Sequence, residues 1–100
     1  SPAEDSRIGQ IISERRRVEE RLKSLPEVNS VFPSDSNFLL FRIPGATAVC
    51  ERLLSEGIVV RDRSSLPGLR DCIRVTIGTS EENSLFLERL QHHLEVQNHA

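Results

Sequence analysis

Apolar residues recur at three- and four-residue spacing along the first quarter of the chain. They are Ile8, Ile11, Ile12, Val18, Leu22 and Leu25. This spacing predicts an amphipathic helix from Arg7 to Leu25. Pro26 ends the helix, because the residue before a proline is disfavoured in the helical region of backbone space. Residues 1–7 are mostly polar, and we expect them to form a disordered leader.

Charged residues occupy the remaining positions of this predicted helix. Glu19 and Lys23 are four residues apart, a spacing that favours an ion pair on the exposed face. The run Arg15-Arg16-Arg17 lies among glutamates and has no aromatic neighbour, which indicates a solvated helix face rather than a nucleic-acid patch.

Two apolar runs follow, at residues 28–32 and 37–43, and a turn-rich segment separates them. The second run is apolar on both faces, which is typical of a central strand. Residues 46–56 then predict a helix with Val49, Cys50, Leu53 and Leu54 on one side. Gly57 stands in the position that commonly terminates such a helix.

The second half of the chain predicts two more strands and a final helix. Residues 58–60 form a short β-branched strand that ends at Arg61-Asp62, and a loop runs from 63 to 71. Residues 72–77 alternate, so Ile73, Val75 and Ile77 face the core whereas Cys72, Arg74 and Thr76 face the other way. Thr79 and Glu82 form a capping box that starts the last helix, which runs to about residue 96. Its inward residues are Phe86, Leu87, Leu90 and Leu94.

The order α-β-β-α-β-β-α predicts an α+β fold. We expect a two-layer sandwich in which a small, mostly antiparallel sheet is covered by helices on one face. The predicted domain spans residues 8–96, between the leader at 1–7 and a tail at 97–100.

The bulk composition narrows the class of protein. A chain of 100 residues suits one small domain, and the net charge of −2 does not favour nucleic acid or an anionic membrane as a partner. Cys50 and Cys72 are too far apart for a CxxC pair and lie in apolar runs, so buried reduced thiols are expected. No apolar run is long enough to span a bilayer and no signal peptide opens the chain, so a cytoplasmic protein is expected.

Most residues that could carry chemistry have a structural explanation. No nucleophile motif, phosphate-binding glycine loop or metal-ligand spacing stands out. We expect His92, His93 and His99 to be solvated residues near the C-terminus, with a weak adventitious metal site as the alternative. Glu81 and Glu82 lie in a first helical turn, where negative charge offsets the helix dipole.

Arg61 and Arg74 are harder to explain structurally. Each interrupts a strand that is otherwise apolar and β-branched. A guanidinium presents a planar fork that matches carboxylate or phosphate oxygens, so two of them on adjacent strands could form a two-point anion clamp. The alternative is that each arginine pairs with a local acid such as Asp62 or Asp71.

Three segments resemble the histidinol-phosphate aminotransferase family. The run Val31-Phe32-Pro33-Ser34 followed by Asn37-Phe38-Leu39-Leu40-Phe41 is similar to the family's "VFPS-x-x-NF-L" segment. Gly57-Ile58-Val59-Val60-Arg61-Asp62 is similar to "GI-x-VRD". Cys72-Ile73-Arg74-Val75-Thr76-Ile77-Gly78-Thr79, then Glu81-Glu82-Asn83, is similar to "C-L-R-V-T-x-G-T-x-E-E-N". The three segments occur in the family's order and spacing.

The resemblance, which covers about residues 8–94, implies the small C-terminal domain of a fold-type-I aminotransferase. The implied activity is transamination between histidinol phosphate, a small phosphorylated amine, and 2-oxoglutarate or glutamate in histidine biosynthesis. The implied parent is a homodimer with pyridoxal 5'-phosphate in a large domain. The arginine matching Arg74 would bind the substrate carboxylate of glutamate and help to hold the phosphate, and the arginine matching Arg61 would contact the phosphate. Asn37 matches a position near the domain interface, with a structural role only.

The chain departs from the family by lacking a lysine suited to hold the cofactor. Its only lysine, Lys23, is on the polar side of the first predicted helix. We therefore expect no catalytic residue, no cofactor binding and no activity in this chain alone, and its partner would be the large domain. The alternatives are a threonine-phosphate decarboxylase or another fold-type-I subgroup, a free-standing module that binds phosphorylated metabolites, and an interaction domain that pairs through an exposed sheet face.

Overall fold

Three helices and four strands, joined by loops, lie within residues 2–99, the part of the chain that the computed structural model describes. In chain order they are α1 (Pro2–Ser24), β1 (Ser30–Val31), β2 (Phe38–Arg42), α2 (Ala46–Ser55), β3 (Arg61–Asp62), β4 (Cys72–Thr76) and α3 (Ser80–Asn98). The strands form one antiparallel sheet in the order β1-β2-β4-β3. The predicted α+β class and the predicted order of elements are confirmed.

The core lies between the three helices and one face of the sheet. Leu39 and Phe41 of β2 pair with Val75 and Ile73 of β4, and all four side chains are buried. The helices cover them with Val18, Leu22, Ala46, Val49, Leu53, Phe86, Leu87, Leu90 and Leu94. The alternation of β4 therefore correctly predicted which of its residues face the core. The predicted inward residues of the last helix are also confirmed.

The strand predicted at residues 58–60 is displaced toward the C-terminus. The backbone N–H of Ile58 donates to the carbonyl of Leu53 at the end of α2, so the chain is still tied to that helix. It joins β4 only at Arg61, which pairs with Arg74. The predicted end of α2 is confirmed, because Gly57 follows the last turn with φ 82°.

Helix α1 begins earlier than its apolar spacing predicts. Pro2 suits a first helical turn because a backbone N–H at that position would have no partner within the helix, so proline loses no hydrogen bond there. Glu4 and Asp5 offset the helix dipole in the same turn. Residues 2–7, expected to form a disordered leader, are therefore helical. Helix α3 also continues past the predicted end, to Asn98. The domain boundaries themselves stay a prediction, and positions 1 and 100 lie outside the described residues.

The arginine run of α1 is not the solvated face that the sequence indicates. Arg15 donates to the carbonyl of Ser36 at 3.0 Å. Arg17 donates to the carbonyl of Ser80 at 3.2 Å and to Ser84 Oγ at 3.1 Å, while it also binds Glu14 at 2.7 Å. Two of the three arginines therefore connect α1 to other elements. The ion pair predicted between Glu19 and Lys23 is present, with 3.4 Å between its atoms.

Both cysteines are free thiols, as expected. Cys72 is fully buried on β4. Cys50 is half-buried on α2, and burial is the main cause that raises the pKa of its thiol to about 11. The thiol of Cys50 is therefore not set up as a nucleophile, because the thiolate is the reactive form.

The start of α3 contains a polar network around the buried side chain of Asn83. The predicted capping box is present, with Thr79 accepting from the N–H of Glu82 and Glu82 accepting from the N–H of Thr79. Asn83, only 4% exposed, donates to Glu14 Oε1 at 3.0 Å and to the carbonyl of Gly78 at 3.1 Å. Its oxygen accepts from the N–H of Gly78 at 2.9 Å. Hydrogen bonds from Arg17 first and Asn83 second lower the pKa of Glu14. The network joins α1, the end of β4 and α3.

We predict that Asn83→Ala destabilises the chain by about 2–3 kcal/mol, because it removes three hydrogen bonds, two of which satisfy the N–H and the carbonyl of Gly78. Urea unfolding followed by circular dichroism measures the change. Asn98→Ala, on the exposed last turn of α3, is the matched control and should be close to neutral. Equal stability of Asn83→Ala and the parent chain would contradict the structural role of this amide.

A second cluster ties the end of α2 to α3. Glu56 accepts from Arg89 Nε at 2.9 Å and from Arg89 Nη2 at 2.6 Å. Its other oxygen lies 2.6 Å from Nε2 of His93. The hydrogen bonds from Arg89, then His93, lower the pKa of Glu56 from its ordinary value of 4.5 to about 2.

The low pKa of Glu56 predicts an acid-sensitive contribution to stability. The folded-state pKa is below the unfolded value, so the contribution is complete above pH 4.5 and is lost as the pH falls toward about 2. The difference in urea midpoint between the parent chain and Glu56→Gln should therefore shrink over that range. Glu20→Gln, at an exposed position of α1, should show no such convergence. A difference that stays constant from about pH 6 to about pH 2 would show that ionisation of Glu56 does not contribute to stability.

Candidate anion-binding site

The helices leave one face of the sheet uncovered, and we call it the open face. Its residues alternate, along β2, β3 and β4, with those whose side chains face the helices. They are Phe38, Leu40 and Arg42 of β2, Cys72, Arg74 and Thr76 of β4, and Arg61 of β3. Both arginines singled out in the sequence therefore lie on the same face.

Arg61 and Arg74 are direct cross-strand partners. Side chains at paired positions of an antiparallel sheet are neighbours on one face, and like charges placed directly opposite each other are destabilising. The structure thus brings together the two residues that the sequence proposed as a clamp. An anion held between them would convert their repulsion into attraction.

The guanidinium of Arg74 is partly buried and lacks an acceptor. Its central carbon lies 5.1 Å from the centre of the Phe38 ring, a cation–π contact that holds the side chain against β2. Its Nε is buried and has no hydrogen-bond partner among residues 2–99. A buried donor without a partner costs about 1–3 kcal/mol, and such groups in native proteins require an explanation such as a ligand site.

The local acids do not neutralise these arginines. Asp62 lies on the helix-covered side, where it accepts from Thr47 Oγ1 at 2.7 Å and from the N–H of Ser64 at 3.0 Å. Hydrogen bonds from Ser64 and Thr47 lower the pKa of Asp62. Within residues 2–99, no carboxylate forms an ion pair with Arg61 or Arg74. The alternative in which Asp62 or Asp71 pairs with them is therefore wrong.

Arg42 is a site residue that the sequence did not single out. It donates to the carbonyl of Arg70 at 2.8 Å and to that of Gly68 at 3.1 Å. Its guanidinium also lies 5.9 Å from the ring centre of Phe32. Arg42 therefore holds the loop between β3 and β4 against one end of the open face. Its position in an otherwise apolar strand was the available signal.

The remaining candidates contribute no site in the described part of the chain. Within it, no group of three or more His, Cys, Asp or Glu side chains could hold a metal ion. His92 packs edge-on against His93 with 5.3 Å between ring centres, and His99 caps the end of α3. Glu82 is used in the capping box, and the carbonyl of Asn37 accepts from the N–H of Ile77. No helix among residues 2–99 has the length and apolar character to cross a bilayer.

The residues present do not fit pyridoxal phosphate. An imine with this cofactor needs a lysine in a protected site. Lys23, the only lysine of the sequence, is 59% exposed on α1 and is paired with Glu19. The lysine that forms this imine would therefore lie outside this chain, and the open face offers positive charge to an anionic ligand.

The repulsion between Arg61 and Arg74 predicts a salt-dependent effect. Arg61→Gln should raise the free energy of unfolding by roughly 0.2–1 kcal/mol at low ionic strength, because it removes a like-charge cross-strand pair. The gain should fade in about 1 M sodium chloride, where charges are screened beyond about 3 Å. Thermal melts at both salt concentrations measure it, with Arg52→Gln on α2 as the control. A loss of stability on Arg61→Gln at low salt would mean that Arg61 has a favourable contact that the structure lacks.

Comparison with known proteins adds a family to this geometry. A family model described as aminotransferase class I and II matches residues 2–90. Among curated proteins, the chain is similar to the histidinol-phosphate aminotransferase of Xanthomonas oryzae pv. oryzae. The two are 47% identical over 85 residues, which are 85% of this chain and 23% of that protein.

Two solved structures contain a region with the same fold as this chain. A decarboxylase from Sulfurospirillum multivorans is 35% identical with a TM-score of 0.78, and the match covers 86% of this chain and 25% of that one. The histidinol-phosphate aminotransferase from Clostridium acetobutylicum is 31% identical with a TM-score of 0.76, and the match covers 91% of this chain and 27% of that one. This chain thus spans about a quarter of the length of the proteins it matches.

Proposed function

The chain belongs to the class I and II aminotransferases, and on that premise we propose that it acts as the small domain of a histidinol-phosphate aminotransferase. The 47% identity to a histidinol-phosphate aminotransferase supports this choice of substrate, as do the motifs around Arg61 and Arg74. The reaction would exchange an amino group between histidinol phosphate and 2-oxoglutarate in histidine biosynthesis.

The observation that carries the proposal is the cross-strand pair of Arg61 and Arg74, with the Nε of Arg74 buried and without an acceptor. Both substrates are anions, one a phosphate ester and the other a dicarboxylate. Guanidinium groups on paired strand positions can hold either one in turn, because each presents parallel N–H donors to carboxylate or phosphate oxygens. Arg74 would bind the carboxylate of glutamate and assist with the phosphate, and Arg61 would contact the phosphate.

The contribution of this chain would be to position the substrate. Fixing a substrate in a reactive orientation can supply several kcal/mol of a barrier. Pyridoxal 5'-phosphate would supply the bond-breaking chemistry in the parent enzyme, and residues outside this chain would hold it, since Lys23 does not fit that role. We accordingly propose a cytoplasmic homodimer as the active form and no activity for this chain by itself.

A decarboxylase that acts on a phosphorylated amino acid is the second candidate. The solved decarboxylase from Sulfurospirillum multivorans is 35% identical to this chain, slightly more than the solved aminotransferase from Clostridium acetobutylicum. The same two arginines would suit a substrate such as threonine phosphate, because the anionic groups are again a phosphate and a carboxylate. The two candidates differ in product: carbon dioxide in one case, and glutamate formed from 2-oxoglutarate in the other.

A chimera tests the proposal. Residues 2–90 of this chain would replace the matching quarter of the Xanthomonas oryzae enzyme. We predict that the chimera transaminates histidinol phosphate with 2-oxoglutarate. Arg74→Gln should lower kcat/KM by roughly 30- to 1,000-fold, about 2–4 kcal/mol, because a charge-assisted fork is lost at a partly buried site. The loss should be greatest in the half-reaction with the dicarboxylate.

Two controls make the chimera decisive. Arg52→Gln, at an exposed position of α2, should retain full activity. The same preparations would be assayed with threonine phosphate for release of carbon dioxide, which tests the second candidate. Normal kcat/KM in Arg74→Gln would contradict the role of Arg74. A folded, cofactor-loaded chimera that binds neither histidinol phosphate nor threonine phosphate would favour a non-catalytic module or an interaction domain.

A further inference from the structure

The partly buried arginines of this chain divide into two groups. Arg15, Arg17, Arg42 and Arg89 each donate a guanidinium hydrogen bond to a named oxygen. Arg63 and Arg74 are also partly buried, yet neither guanidinium has a hydrogen bond or an ion pair among residues 2–99. Removing a charged group from water without a partner is costly. Arg63 therefore shares with Arg74 the lack of a protein acceptor, whereas only Arg74 has a buried nitrogen without a partner.

The ladder between β3 and β4 places Arg63 beside the clamp. The backbone N–H of Arg63 donates to the carbonyl of Cys72 at 2.9 Å, so the pairing of Arg61 with Arg74 continues by one more hydrogen-bonded pair. Residues two apart on a strand share a face and are separated by about 6.7 Å. Diagonal neighbours across the ladder lie about 7–8 Å apart, within the reach of long side chains. Arg61, Arg63 and Arg74 thus form a triangle on the open face.

No acid of the described residues neutralises this triangle. Asp62, between Arg61 and Arg63 along the chain, points to the other side of the sheet and is bound to Thr47 and Ser64. Arg42, the other arginine of this face, is occupied by two loop carbonyls. Three positive charges without a counter-ion fit a ligand group with more than one negative charge and several acceptor oxygens.

We propose that Arg63 is a specificity-determining residue that completes a three-point site for a phosphate monoester dianion. The inference rests on the proposed function for Arg61 and Arg74 and extends it to a third residue. A monocarboxylate has two oxygens and one charge, so the pair of Arg61 and Arg74 satisfies it. A phosphate group has three peripheral oxygens and up to two charges, and the third oxygen is the acceptor assigned to Arg63.

Titration of the 100-residue chain with inorganic phosphate tests this assignment. Amide chemical shifts in nitrogen–proton NMR spectra report both the fold and the dissociation constant, at constant ionic strength. Arg63→Gln should weaken phosphate binding roughly tenfold, as expected for one lost hydrogen bond to a charged group. Binding of acetate should change little. The phosphate affinity of Arg63→Lys should lie between those of the unsubstituted chain and Arg63→Gln, because lysine keeps the charge and loses the planar fork. Arg70→Gln, an exposed neighbour on the same loop, is the matched control.

The outcomes separate the inference from the function beneath it. If Arg61→Gln and Arg74→Gln weaken phosphate binding while Arg63→Gln does not, the clamp stands and the role of Arg63 is wrong. If Arg63→Gln weakens acetate and phosphate equally, Arg63 adds only general charge, and its role in selecting a dianion is wrong. If the folded, unsubstituted 100-residue chain binds neither anion, the clamp itself is contradicted, and so is the role of Arg63.

Discussion

The pairing of β2 with β4 is the interaction on which both the core and the candidate site depend. Its register sets Leu39 against Val75 on the helix-covered side and Leu40 against Arg74 on the open side. A slip of one residue would exchange the two faces, placing Arg74 in the core and Ile73 in solvent. The cost of burying an unpaired guanidinium and exposing the core opposes that slip. The same alternation that builds the core therefore also fixes where the positive charge lies.

Much of the fold could be predicted from local sequence patterns. The features that could not be predicted depend on contacts between residues far apart in the chain. The alternation of β4 and the capping box of Thr79 and Glu82 each depend on neighbours within a few positions. The bond from Arg17 to the carbonyl of Ser80 crosses 63 positions, and that from Asn83 to Glu14 crosses 69. No spacing rule reveals such pairs, so a polar helix face and a motif asparagine became tertiary contacts only in the folded chain.

The candidate site was predictable to a similar extent. Arg61 and Arg74 stand out because a charged residue is unusual in a β-branched strand. The predicted end of β3 at residue 62 hid Arg63, because the ladder continues one bond further than the apolar pattern. The contact between Arg74 and Phe38 depends on which strands are adjacent, which the chain order alone does not fix. The family resemblance suggested roles for Arg61 and Arg74, whereas Arg63 became a candidate only from the pairing of β3 with β4.

The uncompensated arginines of the open face have a thermodynamic consequence. A ligand that binds only the folded state stabilises it by mass action, by about 2.7 kcal/mol when its concentration is 100 times Kd. If the open face binds an anion as proposed, folding and anion occupancy are linked equilibria in this chain. A small domain has a narrow margin of stability, so an anion in the surrounding solution would shift a substantial share of it. The melting temperature of the chain would then report anion occupancy directly.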